Sequence, residues 1–216
     1  MENIQVALDS VFKSSSDQDY ERSLAYFRFW FGIGQTYSQI PSDLIFDMIC
    51  KYRETDRSHH NFIYPAARPI FRFISDAESD PLLALHSAGL RDRFCTRILQ
   101  EFFYNDLSVV RANLWHRNCY YMDANLIAHC VNLGYMEEDT IRSHILQSLI
   151  SHDKLYDHQA YALIVLFKIA GATFGAYADL AIVDRCFKLL KNHKFHAGGT
   201  SPSIQVSAFS VQKRWN

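Results

Sequence analysis

Four groups of residues in this chain have types that could do chemistry. His116, Cys119 and Asp123 supply a base, a thiol and an orienting acid within a short stretch. A thiol nucleophile needs that base within hydrogen-bond reach, yet no local signature surrounds Cys119. A free cysteine without one ordinarily serves as a small apolar side chain. His144, His152 and His158, with Asp153 and Asp157, form a second cluster. A metal would require three or four of these to converge at fixed distance. HExxH is absent, and His152 and His158 lack the i,i+4 relation of a helical ligand pair, so solvated loop residues are expected. Residues 51–72 carry Lys51, Arg53, Arg57, Arg68 and Arg72 against Glu54 and Asp56. Aromatics interleave with them, a mixture that can bind single-stranded nucleic acid. The competing expectation is that the rings fill the core while the cations stay wet. The run GIGQTY at Gly32 lacks the third glycine of a dinucleotide loop and follows a helical pattern, not a strand. These readings assign no catalytic, cofactor-binding or metal-binding residue and no cofactor.

One stretch has the composition of a binding surface. Arg111, Trp115, His116, Arg117, Asn118, Tyr120 and Tyr121 surround what reads as a connection between helices. Trp, Tyr and Arg dominate binding hot spots, so this is the expected protein-binding surface. The alternative expectation is that its aromatics pack inward.

The elements that must position these groups are helical. Ile4, Leu8, Val11 and Phe12 give residues 1–13 one apolar face. Tyr20, Leu24, Phe27 and Phe31 do the same for 19–31, and Tyr26, Phe29 and Trp30 widen that stripe until most of the helix is expected to be buried. Gly32 and Gly34 are expected to end it. Ser42 caps a helix over 43–53. Pro65 and Pro69 predict a broken helix. Asp80 and Pro81 start a helix over 82–88, Gly89 stops it, and helices follow over 90–104 and 107–116. Residues 117–121 read as the connection. Asp123 is expected to cap 124–133, with Met122 and Ile127 as a hydrophobic staple. Gly134 stops that helix, and Glu137, Glu138 and Asp139 open one that buries Ile141, Ile145 and Leu149. Residues 159–170 are apolar nearly all round. Leu180, Val183, Phe187 and Leu190 form the last stripe. Residues 1–196 are expected to form one domain and 197–216 a loose tail.

Composition sets the class. Of 216 residues 49% are hydrophobic, which provides a substantial core. A net charge of -1 argues against broad electrostatic capture of nucleic acid. Five widely spaced cysteines, with no CxxC pair, fit reduced thiols in the cytoplasm or nucleus. Residues 160–178 are as long as a membrane span and hold Gly171 and Gly175 in a GxxxG pair. Lys168 near the middle favours a soluble core helix.

Three passages can be laid over one another: LLALHSAGLRDRFCTRIL, LIAHCVNLGYMEEDTIRSHIL and ALIVLFKIAGATFGAYADLAIVDRCFKLL. Each is a helix, a glycine (Gly89, Gly134, and Gly171 or Gly175) and a helix. Their spacing of about 40–47 residues is that of armadillo and HEAT arrays. Over residues 81–193 the sequence resembles a degenerate armadillo/HEAT-like repeat. The expected fold is all-α, with antiparallel helix pairs stacked as such an array or as an irregular helical bundle. The resemblance implies a non-catalytic scaffold that binds a protein or peptide along a groove. The alternatives are a helical enzyme using a His/Asp/Cys site, and a membrane-associated protein using 160–178.

Overall fold

The computed structural model describes residues 2–37, 40–41, 43–56, 67–104, 108, 110, 114–151 and 153–193. All regular structure among them is helical. In chain order the helices are α1 (Glu2–Phe12), α2 (Asp17–Tyr37), α3 (Leu44–Asp56), α4 (Ala67–Ser79), α5 (Ala84–Ser87), α6 (Leu90–Tyr104) and α7 (Leu114–Asn132). A π-helical turn, Thr140–His144, runs into α8 (Ile145–Leu149), followed by α9 (Asp157–Tyr177) and α10 (Leu180–Asn192). The chain gathers into two compact units, Met1–Phe94 and Cys95–Asn216, and the division falls inside α6.

The first unit is built on aromatic rings. α1 packs on α2, α3 and α4, burying the expected Ile4, Leu8, Val11 and Phe12. Phe73 of α4 takes Phe12 and Phe27 edge-on, with centroids 5.5 and 5.4 Å away. Edge-to-face contact sets the positive rim of one ring against the negative face of another. Gly32 and Gly34 do not end α2. Neither has a positive φ, and the helix continues to Tyr37. Gly34 serves close packing instead: a Cβ there would lie 2.8 Å from Ile4 Cδ1. Pro69 sits in the first turn of α4, where the missing N–H has no helical partner to lose. Pro65 and Ser42 lie outside the described residues. Asp80 caps the next turn as expected, Oδ1 accepting from the Leu82 N–H at 2.8 Å. Its other oxygen pairs with Arg28 Nε at 2.5 Å. The helix after it is only Ala84–Ser87, and Gly89 leaves it with φ +63°.

The second unit centres on α7 packed against α9. α7 begins at Leu114, so 117–121 are its early turns and not a connection. Asp123 is accordingly a buried residue in mid-helix and neither caps nor anchors a staple there. Gly134, with φ +68°, does stop α7. The Tyr135 N–H bonds to the Cys130 carbonyl and the Gly134 N–H to the Val131 carbonyl, which satisfies the last carbonyls of the helix. Ile141, Ile145 and Leu149 are buried as expected.

α9 bends at Ala170, whose φ of −113° and ψ of 19° leave the helical range. The Asn132 side chain fills the opening. Its Nδ2 donates to the Ile169 carbonyl at 2.6 Å, and its Oδ1 accepts from Thr173 Oγ1 at 2.9 Å. Insertion of a side chain into the hydrogen-bond ladder is a recognised cause of such bends. The bend falls immediately before Gly171, and neither Gly171 nor Gly175 has a positive φ, so the third passage bends at its first glycine but has no left-handed glycine stop. By length and composition α9 could cross a membrane, and half of its most apolar window is buried inside the protein. Asp179 caps α10 by accepting from the Ala181 N–H at 2.8 Å. Leu180, expected in the buried stripe, is 68% exposed; Val183 and Cys186 carry the burial. The expected tail lies outside the described residues.

Candidate functional site

The expected binding stretch divides by helical phase. Arg111 lies outside the described residues; Trp115 and Asn118 lie on α7. His116 and Arg117 are half-buried. Tyr120 and Tyr121 are only 2% and 6% exposed. Tyr120 stacks on Phe102, with centroids 4.6 Å apart and planes 14° from parallel, and takes the edge of His158 at 5.7 Å. Tyr121 packs on Tyr161 at 4.1 Å. Burial, reinforced by the Asp123 and Tyr121 charges, holds the Tyr120 phenol far above its ordinary range. Both tyrosines are core residues of the second unit. A side chain already enclosed cannot also anchor a partner while the unit stays folded.

His116, Cys119 and Asp123, the expected base, thiol and acid, fall at i, i+3 and i+7 along α7. Cys119 and Asp123 are buried, whereas His116 is half-buried. His158 is buried between Tyr120 and Tyr156, not solvated. Asp157 receives His193 Nε2 at 2.9 Å. His152 lies outside the described residues, among which no three His, Cys, Asp or Glu side chains gather as metal ligands.

In the first unit, Ser14, Ser15, Ser16, Asp17, Tyr20, Pro69 and Arg72 line a cavity of about 430 Å³. Its cation is already neutralised. Arg72 meets Asp17 at 2.9 Å, Glu21, and Asp76 at 3.8 Å, and its guanidinium lies 4.0 Å above the Tyr20 ring. The Tyr20 hydroxyl donates to Asp76 at 2.7 Å. Burial and that bond raise the Tyr20 phenol well above its usual range. These pairs brace α2 against α4. Phe71 and Phe73, from the same basic and aromatic segment, are both buried.

The surface that sequence reasoning missed lies on α2. Tyr20, Leu24, Phe27 and Phe31 point into the core, but Tyr26 and Phe29 are 47% and 60% exposed. Tyr26, Phe29, Trp30 and Ile33 follow the i, i+3, i+4, i+7 spacing of a second apolar stripe. Trp30 bridges the two exposed rings edge-on, at 6.2 Å from Tyr26 and 5.5 Å from Phe29. Its indole Nε1 is enclosed without a hydrogen-bond acceptor among the described residues. The sequence carries this surface as a second apolar stripe on one helix, offset in phase from Tyr20, Leu24, Phe27 and Phe31.

Compared with protein-family models, curated proteins and solved structures, this chain matches none.

Proposed function

We propose that this protein is a non-catalytic interaction module of helical-repeat type, and that its partner is a protein seating an amphipathic helix on the outward stripe of α2. The observation that carries the reading is the exposed pair Tyr26 and Phe29 beside Trp30. Rings of these types dominate binding hot spots, and a stripe of this period suits another helix laid along it. The left-handed glycines at 89 and 134, in corresponding places of the first two passages, support the repeat. Arg117, half-buried on α7, is a second contact point. A cytoplasmic or nuclear address fits the five free thiols.

The test compares affinity capture by wild type, Tyr26→Ser/Phe29→Ser and Arg117→Glu, each recovered without detergent. The α2 double variant should lose a partner that the wild type retains, with recovery falling at least tenfold. Because both rings face solvent, its stability should change by no more than about 0.5 kcal/mol per site. Equal recovery of every partner by the α2 variant overturns this surface. A protein that stays in the membrane fraction until detergent is added supports the alternative through α9.

A further inference from the structure

Cys95 on α6 and Cys130 on α7 meet inside the second unit. Their sulfurs are 3.5 Å apart, within hydrogen-bonding distance of two thiols. Both are free thiols, 4% and 0% exposed. A disulfide has its sulfurs about 2.05 Å apart, so bond formation needs an approach of about 1.5 Å. Nothing in the interaction reading uses this pair. Two thiols in mutual contact are also a different matter from single buried cysteines, which pack as small apolar groups.

We propose that Cys95 and Cys130 are a disulfide-forming dithiol, a reversible covalent tie between α6 and α7 closed by low-molecular-weight disulfides. Both thiols are buried, so the exchange begins when a local opening of the second unit exposes Cys95, which attacks first. Its thiolate forms a bond to one sulfur of oxidised glutathione, whose own S–S bond breaks and releases one glutathione thiolate. The Cys130 thiolate then attacks the Cys95 sulfur and expels the second glutathione thiolate. The two cysteine sulfurs are oxidised by two electrons in all, and glutathione disulfide is reduced by the same two. The two protons leaving the cysteines end on the two released glutathione thiols. Burial, and next the adjacent Cys95 thiol, hold the Cys130 thiol well above its ordinary range. The thiolate is the attacking species, so the reaction is slow at neutral pH and accelerates as pH rises.

The whole protein is incubated with oxidised glutathione, alkylated in denaturant and mapped by mass spectrometry without reduction. Two of the five thiols should disappear, one cross-linked peptide should join Cys95 to Cys130, and reduction should restore all five. The oxidised protein should unfold at higher urea than the reduced one. That shift should be absent from Cys95→Ala and Cys130→Ala. If either variant fails to fold, the wild-type peptide map decides alone. Five alkylated thiols after oxidation, a cross-link between another pair, or glutathione adducts without the 95–130 link overturn the proposal.

Discussion

Tyr26 and Tyr120 put the same side chain to opposite uses. The first stands in solvent beside Trp30, while the second is shut against Phe102. Residue type alone could not separate them, because tyrosine suits both settings; what separates them is helical phase. For α7 that phase was hidden by placing the helix start at Asp123 when it lies at Leu114. Burial also leaves a pH signature. It pushes the Cys186 thiol up to about 12, from an ordinary value of about 9, and raises the Tyr20 and Tyr120 phenols. These groups stay protonated in the folded protein after their unfolded counterparts ionise. The unfolded state then binds fewer protons, so stability falls as pH climbs from about 9 toward 12. At the acid end burial depresses His129, whose ordinary value is 6.5. The unfolded state takes up that proton first, and stability falls as pH drops below about 6.5. Urea midpoints measured across this range should therefore decline at both ends. A profile still level at pH 11 would contradict the burial of Cys186.

At the scale of elements, the sequence distinguished helices well and their ends poorly. Gly134 was legible as a stop because polar and acidic turn residues follow it. Gly32 and Gly34 looked equivalent, but Gly34 lets α1 approach, a tertiary need that no local pattern encodes. Asn132 was not legible at all, since its partner, the Ile169 carbonyl, is 37 positions away. Asn132→Ala removes both of its bonds and leaves the carbonyl at the bend without its side-chain donor. The expected loss is about 1 kcal/mol in urea unfolding. Gly134→Ala should cost about 1–2 kcal/mol, entirely from the left-handed backbone, because a Cβ there meets nothing within 4 Å. Equal stability of Gly134→Ala and wild type would mean that the helix end can relax into another cap.

For the molecule as a whole, the all-helical class was legible because 3.6-residue periodicity is written along the chain and needs no distant partner. The division into two units was not. It depends on which apolar faces find each other, and faces of similar hydrophobicity give no address. Phe73 meeting Phe12 and Phe27 is such a choice. The run at 160–178 shows the same limit, since a core helix and a membrane span share length and composition. The boundary itself carries a practical consequence. It cuts between Phe94 and Cys95, inside the continuous helix α6. Expression fragments designed at that junction would begin or end in mid-helix. A fragment ending at Phe94 keeps barely one turn of α6, too short to hold its own hydrogen bonds in water. Fragments extended to Tyr104 should show more helix by circular dichroism than the added residues account for, and limited proteolysis of the whole protein should spare 90–104. Early cleavage there would show that α6 opens as a hinge.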